Sequence, residues 1–228
     1  MDSRTVNRAI RGTIRPLLKE AGFSRFTTRN AWRYTASRVE VLNFQSFNSY
    51  LAESLGCTTY SFSVNLGSFL LDIPPGCGFV RVKKKDGHLL PQEYECHLRG
   101  QLTRSFPQPE LERRDIWFID PKGQYLEKAI HDVRMAIARD AFPWYEELRD
   151  SLRVLQILLL EPERMDHLYG FGQNPSPRRS YLTGYMALTL KRHDIARTKL
   201  QEALESGCYD SVADRLAKDI EACGSTTA

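Results

Sequence analysis

The chain is poor in the features that name a function outright. It has no apolar run near the ~20 residues that a membrane span requires. Arg4, Arg8, Arg11 and Arg15 interrupt the N-terminal stretch where a secretory signal would carry its apolar core. It contains neither G-x-x-x-x-G-K-[ST] nor G-x-S-x-G, and Gly170-Phe171-Gly172 is too short to cradle a phosphate. Cysteines number five, Cys57, Cys77, Cys96, Cys208 and Cys223, with no C-x-x-C pair. An odd, scattered set argues for free thiols in a reducing compartment, so a cytoplasmic location is expected. Cys77, Cys96 and His97 lack the second ligand pair of a zinc site, and adjacent strand residues point to opposite faces. No metal and no cofactor is therefore expected. The histidines are scattered, and His131 beside Asp132 sits at a helical spacing where neighbours do not face each other. No catalytic residue is assigned, and an enzyme is the less favoured reading.

Extremes of charge and composition are missing too. With 228 residues, 42% hydrophobic and 26% charged, the chain has ordinary globular values. The formal charge of +4 permits contact with a polyanion without demanding it.

What is present is a strong strand signal. In Thr58–Gly67, Tyr60, Phe62, Val64 and Leu66 alternate with Ser61, Ser63 and Asn65, the period of a half-buried strand, and Gly67 is expected to close it. Other strands are expected at 31–37, 38–47, 92–104 and 115–120, with a short hairpin, 79–84 against 88–90, turning at Asp86-Gly87. The strand 38–47 places Asn43 and Gln45 on a mainly apolar face, so both amides must be hydrogen-bonded. An amphipathic helix is expected over 5–21, burying Val6, Ile10, Ile14, Leu17 and Ala21, with Pro16 starting or kinking it. Gly22 suits its C-terminal stop. Helical periods return from Pro121, giving helices to about Arg139 and over 143–160, the second with a stripe of Trp144, Leu148, Leu152, Leu155 and Leu159. The prolines and glycines of 161–180 read as a linker or excursion. The division expected is an α+β domain over 1–160, this linker, and a small helical unit over 181–228.

That last unit resembles a single tetratricopeptide repeat: Gly184, Ala196, Leu200 and Ala203 fall at the repeat's spacing and Asp194 begins its second helix. Ser180 stands where the repeat wants an aromatic, and no second copy follows. A lone hairpin (181–206) with a third helix (210–222) must dock on the body or on a partner.

The order of helix, Gly22-Phe23, two strands, Asn43-Phe44-Gln45-Ser46, Phe62-Ser63-Val64-Asn65-Leu66-Gly67 and Trp117 resembles a bacterial family catalogued as domain of unknown function 4304. His97-Leu98-Arg99-Gly100 echoes the family's arginine-containing strand. The resemblance covers the first ~160 residues and implies an α+β domain in a bacterial cytoplasm, with no activity and no catalytic residue to carry over. The fold class expected is α+β: about five mostly antiparallel strands covered on one face by helices, plus a C-terminal helical hairpin.

Two candidate surfaces follow. Ser61, Ser63 and Asn65 would share a sheet face with His97, Arg99 and Gln101, and with Gln45 they make an anion or amide reader, Gln45, Asn65, His97 and Arg99 being the ligand candidates. A polar sheet face is also the default for solvent contact. The second surface is the basic stripe Arg4, Arg8, Arg11, Arg15 and Lys19, joined by Lys83-Lys84-Lys85 and Arg113-Arg114, which can track phosphates. As an amphipathic helix's solvated side it needs no function, and it lacks the interleaved aromatics that stack bases. The function expected is non-catalytic binding of a protein partner, in an immunity-like or defence-associated role, the incompletely covered hairpin pointing that way. Nucleic-acid association through the basic helix is the alternative.

Overall fold

In a computed structural model, the structure describes residues 1–76, 82–160 and 176–224. The first element is helix α1 (Ser3–Glu20), capped by Asp2, whose carboxylate accepts from the Thr5 N–H at 2.8 Å. It runs through Pro16 as one helix. Its buried stripe is Val6, Ile10, Ile14 and Leu18, one position on from the expected Leu17. After Gly22, whose φ of 89° only glycine takes without strain, the chain enters the sheet.

Strands β1 (Arg25–Phe26), β2 (Asn30–Tyr34), β3 (Arg38–Ser46) and β4 (Phe62–Leu70) form an antiparallel meander, between whose last two members the short helix α2 (Ser49–Ser54) is inserted. A two-stranded hairpin, β5 (Lys84–Lys85) and β6 (His88–Leu89), follows. Asp86 and Gly87 turn it with φ of 49° and 78°, the positive angles a tight hairpin turn requires. The part expected at 79–81 lies outside the described residues. Strand β7 (Leu98–Gln101) then closes the five-stranded antiparallel sheet in the order β1-β2-β3-β4-β7.

Two expected strands differ. The stretch 92–104 breaks into a 3-10 turn, Glu93–Glu95, and the four-residue β7, because Gln92 and Glu95 make a capping box. The segment 115–120 touches the sheet only through a bridge between Phe62 and Trp117. Its fifth place is taken by β1, too short to show a period. In the central strand Thr58–Ser61 form a turn, and the strand extends to Leu70. Gly67 is thus mid-strand rather than terminal: a Cβ there would lie 2.6 Å from Cys96 Sγ, so close packing explains the glycine.

Helix α3 (Leu126–Ala136) passes through a π-turn, Ile137–Ala141, into α4 (Phe142–Glu147), and α5 (Ser151–Leu160) follows. The expected single helix over 143–160 is therefore two. Asp150 takes the Leu152 N–H at 2.8 Å and restarts the helix, which leaves Leu152 exposed and buries Val154, Leu155, Ile157 and Leu158. Helices α6 (Pro177–Thr189), α7 (His193–Glu205) and α8 (Ala213–Gly224) complete the chain. Of the linker expected over 161–180, residues 161–175 lie outside the described residues, and Pro177 opens α6.

The sheet divides the molecule. On one face, Ala31, Leu42, Phe44, Phe62, Val64 and Leu66 pack with α1, α3 and Tyr145 of α4 into the main core. Phe62 and Val64 have no exposed surface. The C-terminal helices are not left open. Leu70, Ile73, Leu98 and Leu148 of the body share one apolar cluster with α5 to α8. Arg178 donates to the Cys96 carbonyl at 2.8 Å, and the Tyr181 hydroxyl donates to the Pro74 carbonyl at 2.9 Å. The premise that the hairpin awaits a partner is thereby withdrawn. Gly184 meets Leu200 closely enough that a Cβ would clash at 2.6 Å, as the repeat-like spacing implies.

Candidate functional site

The register of the sheet builds the site. Partnered residues in antiparallel strands point to the same side, so the face away from α1 and α3 is laid out in rows across the strands. Tyr34, Val39 and Phe69 make one row, and Trp32, Val41, Gly67 and Arg99 the next. The third row is Asn30, Asn43, Asn65 and Gln101: four side-chain amides on four successive strands. Gln45, paired with Ser63, stands one row further.

The first two rows are covered by the segment that leads into β7. Cys96 packs on Trp32, Val39 and Val41, with Leu90 alongside. The Trp32 indole N–H donates to the Pro91 carbonyl at 2.8 Å and the Tyr34 hydroxyl to the Leu89 carbonyl at 3.0 Å. The amide row is internally bonded. Asn43 Nδ2 donates to Asn30 Oδ1 at 2.6 Å, Asn30 Nδ2 to Gln92 Oε1 at 3.4 Å, and Asn65 Nδ2 to Gln45 Oε1 at 2.8 Å. Gln101 bonds the Asp115 carboxylate. Asn65 is 6% exposed, whereas Gln45 and Gln101 are open to solvent. Each amide has two donor hydrogens and an acceptor oxygen, so these bonds fix the groups while leaving others to offer.

The candidate residues thus divide. Gln45 and Asn65 are hydrogen-bonded partners, the exposed Gln45 supplying the acceptor that the buried Asn65 needs. Arg99 shares their face, and its Nε donates to Glu93 Oε1 at 2.6 Å. His97 does not join them. It lies at the covered end of the face against Phe69, ring centroids 4.7 Å apart, and its Nδ1 accepts from the Leu70 N–H at 2.9 Å. Burial, with the nearby Arg178 guanidinium, pulls its pKa down to about 3. Burial likewise pushes the Cys96 thiol well up, with Glu93 adding to it. Both groups are held in their neutral forms by packing. Among the described residues no cluster of His, Cys, Asp and Glu could hold a metal.

Asn30 and Gln92 are the members sequence reasoning missed. Asn30 lay just before the expected strand start, and Gln92 was placed in a strand rather than at a turn. A row across strands has no local period; only the pairing register reveals it.

The helix layer carries the second surface. Arg4, Arg8, Arg11 and Lys19 are exposed along α1, while Arg15 donates to the Thr27 carbonyl at 2.8 Å and covers the Phe26 ring at 4.8 Å. Beyond β1, Arg25 meets Asp86 of the lysine-bearing hairpin at 3.3 Å. Arg113 is paired with Asp115. Between α1 and α3 a cleft of about 410 Å³ is lined by Thr13, Glu127, Ile130, His131 and Arg134. His131 makes no hydrogen bond to Glu127 or Thr13, so no base is held against a nucleophile there. Its neighbour Asp132 faces inward and accepts from the Trp117 indole at 2.9 Å and from Ser105.

No described helix is long and apolar enough to cross a membrane. Neither the curated proteins nor the solved structures contain a match to this chain. The sequence pattern of a family described as Domain of unknown function (DUF4304) matches residues 14–147, from the middle of α1 to the end of α4 and more than half of the chain. With the five-stranded sheet, Asn65 and Trp117 inside that span, the chain belongs to the DUF4304 family.

Proposed function

We propose that this chain is a non-catalytic binding protein that docks an extended segment of a protein partner across the amide row of its sheet. The observation that carries the reading is the register placing Asn30, Asn43, Asn65 and Gln101 on four adjacent strands. At about 4.8 Å per strand the row is about 14 Å long, the span of four extended residues at about 3.3 Å each. Side-chain amides match a peptide backbone because each has both a donor and an acceptor. Strands rather than loops carry them, so little entropy is lost on binding. A bacterial cytoplasm belongs to the same reading, supported by the unpaired Cys57, Cys96, Cys208 and Cys223. So does an immunity-like or defence-associated role, which rests on analogy with stand-alone binders.

The test is affinity capture from a bacterial extract with the natural chain and with the Gln45→Ala/Gln101→Ala double variant. Partner loss at unchanged melting temperature supports the reading. A partner set shared by the two proteins contradicts it.

Nucleic-acid association through α1 is kept as a second reading because Arg4, Arg8, Arg11 and Lys19 stay exposed on one helix. Retention on a filter should then fall steeply with salt, and no retention at low salt removes it.

A further inference from the structure

At the sheet edge beside α1, one buried nitrogen of the half-buried Arg29 has no hydrogen-bond partner among the described residues. Arg29 Nη1 is shielded from solvent and makes no hydrogen bond. Burying a guanidinium nitrogen unpaired is costly, and an ion or ligand is one of the partners that can offset it. Around it lie Arg11, Arg15, Thr27 and Thr28, with Ile14 and Phe44 among the apolar residues of the floor. No Asp or Glu lines this cleft, and among the described residues no ion pair involves Arg11, Arg15 or Arg29. Burial alone pulls the Arg29 pKa down, with no carboxylate opposing it.

The cleft is preformed. Thr27 Oγ1 accepts the Arg29 and Asn30 N–H groups at 3.3 and 3.0 Å, and the Arg29 carbonyl accepts the Phe44 N–H at 2.7 Å. Having accepted twice, the Thr27 hydroxyl still has its hydrogen to give. The enclosed part has about 20 Å³, room for one water-sized group. One oxygen of an anion fits inside while the rest stays at the mouth near the other two arginines.

The geometry points to a phosphate site, with an oxygen held by Arg29 at the base of the cleft and the remaining oxygens met by Arg11, Arg15 and the Thr27 hydroxyl. Three guanidinium charges without a counter-charge suit a dianion better than a single carboxylate. The site goes beyond the peptide-docking reading: it lies beside α1 at the opposite sheet edge from Gln101, and Asn30 is the one member of the amide row that also lines the cleft.

Titration calorimetry with inorganic phosphate, against chloride at matched ionic strength, tests it. The Arg29→Gln variant breaks no side-chain hydrogen bond among the described residues and should weaken phosphate binding about tenfold or more. Arg4→Gln, about 10 Å along the helix from Arg11, should change it less than about twofold. Gln45→Ala/Gln101→Ala should leave it unchanged, which separates this site from the sheet face. A short single-stranded oligonucleotide forms the second arm. Tighter binding than phosphate, weakened by Arg29→Gln, assigns the phosphate to a nucleic-acid backbone; binding no tighter assigns it to a free phosphate ligand. Equal phosphate binding by the natural chain and Arg29→Gln overturns the site, as does no heat beyond the chloride control.

Discussion

The two faces of the sheet use charge and amide groups in opposite ways. Beneath the helices, Glu40 is shut away with Arg33, which it accepts from directly; Arg33 Nη1 also donates to the Ala21 carbonyl at 2.9 Å and its guanidinium stacks on Phe23 and Tyr145. Arg149 approaches Glu40 at 3.5 Å, and Arg38 reaches the Arg149 carbonyl at 2.9 Å. These groups tie β2 and β3 to α1 and the α4–α5 junction. On the other face, the amides of Asn43, Asn65 and Gln45 bond within their own row or its neighbour, and Gln101 reaches the Asp115 carboxylate. A polar group that joins two layers is part of the fold's stability. One that bonds only sideways along a face can be spared for a ligand. That contrast favours the amide row, rather than the ionic cluster, as the proposed binding face.

Substitutions should separate the two faces, and the largest effect belongs to the buried ion pair. Glu40→Ala leaves buried Arg33 with only the exposed Glu146, at 3.6 Å, as counter-charge and should cost about 3–5 kcal/mol in urea denaturation. A loss under about 1 kcal/mol would mean that the cluster is solvated. Next comes the covered half of the amide face: Gly67→Ala drives a methyl into Cys96 and should cost about 1–3 kcal/mol. Third is the pH response of His97. Its folded pKa of about 3 lies below the ordinary value of 6.5, so the unfolded chain takes up the proton first as pH falls. Stability attributable to His97 is intact above pH 6.5 and falls by about 1.4 kcal/mol per unit between there and pH 3. A denaturation series in which His97→Gln flattens this slope checks it, and an unaltered slope would contradict it. The smallest effect is expected at the open amides. Gln45→Ala/Gln101→Ala should stay within about 0.5 kcal/mol of the natural chain, against about 2–5 kcal/mol for Leu42→Ala on the opposite side of β3.

How much of this the sequence disclosed follows the range of each signal. The alternation around Phe62 and Val64, and the need for Asn43 and Gln45 to be bonded, are local, and both hold in the structure. The covered core, the antiparallel sheet, the Asp86-Gly87 turn and the repeat-like hairpin were legible for the same reason. Local cues misled where tertiary contacts decide. Gly67 looks like a strand end because its reason, Cys96, is 29 positions away. The segment around Trp117 has strand character, but apart from a single bridge its polar groups go to side chains: Asp132, Ser61, Thr58, Gln108 and Arg104. Arg104 looks like any strand arginine, yet it holds the Phe106, Leu111, Arg113 and Ile116 carbonyls and so organises a loop that carries no periodic signal. His97 entered the candidate site by alternation alone; its contact with Phe69 and the Leu70 N–H depends on pairing that alternation cannot supply. Arg29, at the proposed phosphate cleft, sits in a turn of charged and polar residues and is distinguished only by a buried nitrogen that no described residue pairs with.

The most direct test of a binding face spared by the fold is to watch the amides themselves. In a nitrogen-15 spectrum the side-chain NH₂ signals of Asn43, Gln45, Asn65 and Gln101 can be followed as a captured partner, or the peptide excised from it, is added. The account predicts that these four move together while the Arg33 and Arg149 guanidinium signals stay in place. Shifts confined to the guanidinium cluster or to α1, with the four amide signals unmoved, would contradict it.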